Sequence, residues 1–130
     1  MRQEVLDYIN TLSLGGFLLT TEYPWDDNGT ALYIKNPKKI YVDNPQTSTE
    51  PFIQTLGSTT FNNETTSISV YFSTDAKQIS PQYDTLVSDL KTGKDITTID
   101  GLNRRECDVT TSFENDLLIT ELEYRFTKLI

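Results

Sequence analysis

The chain has no histidine and only one cysteine, Cys107. Without histidine it has neither a Ser-His-Asp nor a Cys-His catalytic group, and imidazole cannot serve as a metal ligand. One cysteine cannot form a disulfide within the chain, and its place in a predicted strand indicates a small, inward-facing hydrophobic side chain. A nucleophilic Cys107 would need exposure and a cationic neighbour to lower its pKa. Most familiar catalytic sites are therefore excluded.

Long apolar runs are also missing, since no stretch approaches the roughly 20 apolar residues of a membrane-spanning helix. Residues 1–9 lack the apolar core and small-residue cleavage site of a secretory signal, so we expect a protein made in the cytosol. The six glycines are scattered and form no phosphate-binding loop.

Basic residues are in the minority, with eleven Lys and Arg against nineteen Asp and Glu and a formal charge of −8. Binding to a phosphate backbone requires a positively charged surface. The charge therefore argues against a freestanding nucleic-acid-binding protein.

The length of 130 residues and a hydrophobic content of 36% suit one domain with its own core, and we expect residues 1–130 to form it. Residues 44–67 are rich in Thr, Ser and Asn. Within them, residues 44–58 contain two prolines and a glycine and show little periodicity, which indicates a loop or an ordered arm.

The most regular pattern lies between residues 105 and 130, where two alternating runs flank Asn115-Asp116. A period of two residues is that of a half-buried strand. If the turn is centred on Asn115-Asp116, the numbers of two residues that lie opposite each other add up to 231. This hairpin register predicts an inward, core-forming face made of Val109, Phe113, Leu122, Tyr124 and Phe126.

The outward face of the same hairpin is charged. The register pairs Glu106 with Arg125, a favourable cross-strand contact, and sets Asp108 opposite Glu123, where like charges repel. An acidic patch with an arginine at its edge is expected.

Two helices are predicted elsewhere. Residues 2–13 have apolar side chains at helical spacing and end before Gly15-Gly16, as at a C-terminal cap. Residues 81–92 form the second helix, for which Ser80 and Pro81 provide an N-cap and a first turn.

Three further strand patterns complete the chain. Residues 17–23 and 65–73 alternate as single strands. Residues 31–35 and 40–43 flank Asn36-Pro37-Lys38-Lys39 and predict a projecting hairpin with proline in its turn. Together these elements predict an α+β fold with an antiparallel or mixed sheet, two helices on one face, a polar opposite face, and the hairpin and arm projecting from it.

The polar residues do not form a convincing catalytic or metal site. Asp108, Glu121 and Glu123 share the predicted outer face, but a flat, solvated strand leaves carboxylates with ordinary pKa values. The segment Asp26-Asp27-Asn28-Gly29 fails as a calcium loop, because Pro24 and Lys35 fall at ligand positions. The pattern therefore indicates a non-enzymatic protein without a cofactor.

Several segments in order resemble the small tail-terminator proteins of tailed bacteriophages, over nearly the whole chain. They are the first helix, Tyr41-Val-Asp, the strand Ile68-Ser-Val-Tyr-Phe-Ser-Thr-Asp75, the helix Ser80-Pro-Gln-Tyr-Asp-Thr-Leu and the closing strand Leu118-Ile-Thr-Glu-Leu-Glu-Tyr-Arg-Phe126. The strand ending near Asp-Ala-Lys, the following helix and the hairpin with a Tyr-x-Phe ending are similar to that family.

The resemblance implies a virion subunit that forms a hexameric ring on the tail tube, stops its polymerisation and joins it to a head-closure or neck protein. It also implies that DNA passes through the lumen without sequence-specific binding. Six copies of a chain with a charge of −8 would give the ring a total charge of about −48. The alternative within the same class of virion proteins is another head-tail connector, a neck protein or a tail-tube subunit. The alternative from a different functional class is an acidic inhibitor protein that mimics DNA.

A ring of this kind requires several contact surfaces on each subunit. The side chains expected to supply them are Trp25, which is either core or an interface anchor, together with Asn36, Pro37, Lys38, Lys39, Glu106, Asp108, Glu121, Glu123 and Arg125.

Overall fold

The computed structural model describes residues 1–54, 60–79 and 81–129. Its helices are α1 (Arg2–Asn10), α2 (Leu32–Lys35) and α3 (Tyr83–Lys91), the last continuing into a 3₁₀ turn, Thr92–Asp95. Its strands are β1 (Leu18–Thr20), β2 (Lys39–Val42), β3 (Gln46–Gln54), β4 (Thr60–Asp75), β5 (Arg104–Glu114) and β6 (Leu117–Leu129). The predicted α+β class is confirmed.

All of these strands belong to one mixed sheet in the order β1-β2-β4-β6-β5, with β3 beside the first part of β4. β1 and β2 are parallel, whereas the other neighbours are antiparallel. The sixteen-residue β4 is the centre of the sheet because it pairs with β2, β3 and β6.

The closing hairpin has the predicted register. Cys107 pairs with Tyr124, Val109 with Leu122 and Asp108 with Glu123. The turn residues Asn115 and Asp116 both have positive φ, 51° and 66°, which is the conformation of the type I′ turn that matches strand twist.

The core lies between one face of the sheet and the helices α1 and α3. These helices contribute Val5, Leu6, Ile9, Leu86 and Leu90, and the sheet contributes Ile40, Val42, Ile68, Val70, Phe72, Leu122, Tyr124 and Phe126. Burial of each large side chain stabilises the fold by roughly 1.5–3 kcal/mol. The prediction of two helices on one face is confirmed.

The predicted hairpin of residues 31–43 is wrong. Residues 32–35 form α2, which lies on the sheet face opposite the core helices. The Tyr33 ring stacks on Tyr71 of β4 at 5.4 Å between centroids, and the Ser73 hydroxyl donates a hydrogen bond to the Tyr33 carbonyl. These contacts with a distant strand select a helical turn over an extended strand. They also cover part of the face predicted to be polar.

The segment predicted as a loop or arm contains an ordered strand. β3 pairs with β4 from Gln46–Ser67 to Gln54–Thr60, whereas β6 reaches β4 only as far as Asn63. The β3–β4 pairs from Pro51–Asn62 to Gln54–Thr60 therefore lie beyond the last described β4–β6 pair, as in an arm. Residues 55–58 of the predicted segment lie outside the described residues.

Both long helices are shorter than predicted. α1 ends at Asn10, where the Thr11 hydroxyl donates to the Tyr8 carbonyl, so the Gly15-Gly16 pair turns the chain later and does not cap the helix. α3 begins at Tyr83, and its predicted cap, Ser80, lies outside the described residues. Within the ranges that the structure describes, no helix has the length and apolar character needed to cross a membrane.

Candidate partner-contact surfaces

Arg125 lies at the centre of the charged face of the β5–β6 hairpin. Its Nη2 contacts Glu106 Oε2 at 2.8 Å and also contacts the Asp108 carboxylate, while its Nε lies 3.8 Å from Glu123 Oε1. The strand register brings these four residues together because Glu106 and Asp108 lie opposite Arg125 and Glu123. One guanidinium therefore offsets part of the negative charge of these three carboxylates.

Glu106 has a second cation beside it. Arg104 Nε donates to the Glu106 carboxylate, and this hydrogen bond, helped by the charges of Arg104 and Arg125, lowers the pKa of Glu106 below its ordinary value. Glu106 therefore remains a carboxylate in mildly acidic solution. A carboxyl group with a lowered pKa carries its negative charge near neutral pH.

The predicted opposition of Asp108 and Glu123 is present, but Arg125 contacts both side chains. The pair repels by a few tenths of a kcal/mol across a strand pair without such a cation. We call the group Glu106, Asp108, Glu123 and Arg125 the arginine cluster.

Glu121 lies further along the same face and borders a different group. An open groove of about 220 Å³ is lined by Asp43, Ser69, Tyr71, Glu121 and Glu123, among others. Burial, with a smaller contribution from the Glu121 charge, raises the pKa of Tyr71 to about 12. Tyr71 is therefore a neutral hydrogen-bonding group at physiological pH.

Trp25 is a half-buried member of an aromatic group on this face, not a freely exposed anchor. Its ring lies 5.7 Å from the Tyr71 ring and 6.4 Å from the Tyr33 ring, both edge to face. The turn that follows Trp25 is held by Asp26, whose carboxylate accepts from the backbone N–H groups of Asn28 and Thr30. This turn aligns Trp25 with Ala31 in an antiparallel bridge.

Asn36, Pro37 and Lys38 form the connection between α2 and β2, and Lys39 begins β2, so these residues are not a hairpin tip. The Lys39 N–H donates to the Asn36 carbonyl at 3.1 Å, and the Leu18 N–H donates to the Lys38 carbonyl at 2.8 Å. Pro37 is partly buried, whereas Asn36 and Lys38 are exposed. The segment places two lysines close to β1, at the edge of the sheet.

The opposite edge of the sheet is β5, which among the described strands has only β6 beside it. The type I′ turn makes Glu114 and Leu117 a hydrogen-bonded pair, and hydrogen-bonded pairs alternate along the ladder. The backbone N–H and C=O groups of Val109, Thr111 and Phe113 therefore point away from β6, toward the free edge.

Phe113 is 74% exposed, so its assignment to the core was wrong. The helix layer packs against Cys107 and Val109 of β5 but stops before Phe113. At the other edge, Leu18 is 65% exposed. Alternation along the strands identifies which face a residue occupies, but it does not locate the end of the layer that covers that face.

Cys107 is half-buried beside the core, and desolvation raises the pKa of its thiol to about 11. The thiol is thus protonated and weakly nucleophilic at neutral pH.

A separate cleft of about 440 Å³ is lined by Gly15–Phe17, Pro37–Lys38, Thr74, Asp75 and Gln78, and its charged lining residues are Lys38 and Asp75. Within the described part of the chain, no group of three or more Cys, Asp or Glu side chains is arranged to hold a metal ion. The chain matches no protein-family model, and no curated protein is significantly similar to it.

Proposed function

We propose that this chain is a structural virion subunit, a tail terminator whose six copies form a ring on the end of a phage tail tube. The ring stops polymerisation of the tube and joins it to a head-closure or neck protein. DNA passes through its lumen without sequence-specific contacts. The order of sequence segments that resembles this family supports the proposal.

The observation that carries the proposal is that β5 and β1, at opposite ends of the strand order, each have a neighbouring strand on one side only among the described residues. A closed ring requires two different, complementary surfaces on opposite sides of each subunit. β5 and β1 lie at opposite edges of the sheet, about 19 Å apart if four strand spacings of about 4.8 Å separate them. Each edge exposes a large apolar side chain, Phe113 or Leu18. Natural proteins protect such edges with charges, prolines, covering loops or very short strands. β1 is short, with three residues, whereas the eleven-residue β5 has an uncharged stretch at residues 109–113.

The charge distribution is compatible with a subunit past which DNA slides. The formal charge of −8 repels a phosphate backbone, and the arginine cluster is internally paired, so its guanidinium is not free to bind phosphate. The same pairing disfavours a DNA mimic, because such a protein presents unneutralised carboxylates along its exposed face. Arg125 lies in the middle of that face.

The functional experiment is tube assembly with the tail-tube subunit of the same virion. Adding this chain during polymerisation should shorten the tubes, and electron microscopy should show a ring at one end of each. Growth of long open tubes by this chain alone would identify a tube subunit instead. Unchanged tube lengths with no ring would refute the terminator proposal.

A further inference from the structure

We infer that the ring is joined by its sheet edges: β5 of one copy adds as a strand beside β1 of the next. This inference rests on the proposed function and specifies the contact between copies. The occupant of the free β5 edge is thus a second copy of this chain.

The first argument is the condition of the β5 edge. Residues 109–113, Val-Thr-Thr-Ser-Phe, contain no proline and no charge, and the structure records no bulge between them and β6. Their outward backbone groups form a regular row of donors and acceptors. Such an edge is a template for another strand. Pairing would also cover the exposed Phe113 ring.

The second argument is strand direction. β1 and β2 run parallel, and each step from β2 through β4 and β6 to β5 is antiparallel, so β1 and β5 run in opposite directions. Copies related by rotation about an axis along the strands keep the same strand directions. The β5 strand of one copy then meets β1 of the next as an antiparallel neighbour.

The third argument is the height of the two edges along the strands. Leu18 pairs with Lys39, and the β2–β4 register carries Lys39 to the level of Ser73. Ser73 pairs with Ile119, which pairs with Ser112. Leu18 and Ser112 therefore share one row, and Phe113 is the next residue. The two edges therefore match in height along the strands, with Leu18 on the α2 face of the sheet and Phe113 on the face of the core helices.

Charge follows the same arrangement. Lys38 and Lys39 lie next to Leu18 at the β1 edge of the sheet. No acidic residue occurs between Lys35 and Tyr41. The β5 side ends in Glu114 and the turn residue Asp116. Contact between the edges places lysines of one copy near carboxylates of the next. Such complementarity orients the approach and sets the register.

The competing arrangement is β5 against β5 of a second copy across a two-fold axis. If the two-fold axis passes through Val109, Arg104 of each copy lies opposite Glu114 of the other. No two like charges lie opposite each other in this register. It closes as a dimer, however, and leaves Leu18 and the β1 edge exposed. The two arrangements differ in the number of copies and in the partner of Glu114.

The main test is Thr111→Pro, compared with Thr111→Val by native mass measurement. Proline removes an N–H that faces the free edge and leaves the β6 ladder intact, whereas valine keeps the N–H. We expect six copies for the wild type and Thr111→Val, and one folded copy for Thr111→Pro, with far-UV circular dichroism checking the fold. Six copies of Thr111→Pro would overturn the edge contact and leave the ring proposal standing.

A charge exchange tests the same contact without proline. Glu114→Lys should shift the protein from six copies toward one, and adding Lys39→Glu should restore six. Rescue of Glu114→Lys by Arg104→Glu within a two-copy particle would instead establish the β5–β5 dimer and overturn the inference. A single copy of the wild type at all concentrations, with no effect on tube length, would mean that the proposed function itself has failed.

Discussion

Gly93 packs directly against Tyr124: a Cβ atom added at Gly93 would lie 2.9 Å from the Tyr124 hydroxyl oxygen and 3.0 Å from Cζ. The Tyr124 hydroxyl donates to the Leu90 carbonyl, so the ring joins β6 to the end of α3 and is held in place. The 3₁₀ turn that follows α3 can approach the sheet closely only because position 93 has no side chain.

Gly93→Ala should therefore destabilise the fold by about 1–3 kcal/mol, as overpacking of a rigid core does. Urea unfolding measures the change. In the background of Tyr124→Phe, which removes the nearest oxygen, the same substitution should cost less. An equal cost in both backgrounds would contradict the direct contact.

Arg125→Gln should lower the free energy of unfolding by about 1 kcal/mol at low salt, because it leaves Glu106, Asp108 and Glu123 together without their shared cation. Added salt should reduce the loss by screening the repulsion. Lys128→Gln is the matched control, since among the described residues Lys128 forms an ion pair with Glu64 alone, at 3.2 Å, and its loss should cost less. Equal, salt-independent losses for the two variants would argue against the cluster.

Cys107 should be unreactive toward iodoacetamide near pH 8 in the folded protein, and its modification should accelerate as the pH approaches 11. The thiol ionises near 9.0 when unfolded, so the unfolded state loses its proton first as pH rises. The contribution of Cys107 to stability should fall between about 9 and 11 and level off above that range. The difference in unfolding free energy between wild type and Cys107→Ala measures this contribution; a difference independent of pH would refute it.

Asp116→Gly should stabilise the closing hairpin by up to about 1 kcal/mol, because Asp116 has a φ of 66° and glycine adopts this conformation without steric cost. The lost ion pair with Lys77, at 3.7 Å between exposed side chains, is worth little. Asp116→Val should destabilise the protein, since a β-branched residue is strained at positive φ. Thermal unfolding of the two variants should move in opposite directions from the wild type.

The closing hairpin was predictable from sequence because both of its determinants are local. The two-residue alternation assigns the faces, and the Asn115-Asp116 turn sets the register. The helix α2 was not predictable in this way. Its conformation depends on Tyr33 stacking on Tyr71 and on Trp25 beside them, contacts between residues far apart in the chain.

The contacts on the candidate surfaces were also predictable only where they depend on local strand register. The pairing of Glu106 with Arg125 followed from the register, whereas the contacts of Arg125 with Asp108 and Glu123 depend on the reach of a long side chain. The exposure of Phe113 depends on where the helix layer ends. Alternating residues alone carry no signal for that boundary.

Native mass measurement of the purified chain tests the central claim most directly, because ring closure determines the number of copies. We predict a particle of six copies, each of 14.8 kDa, that is retained in Thr111→Val and lost in Thr111→Pro. A wild-type particle that remains a single copy at every concentration, or one that grows into open tubes, would contradict the terminator ring.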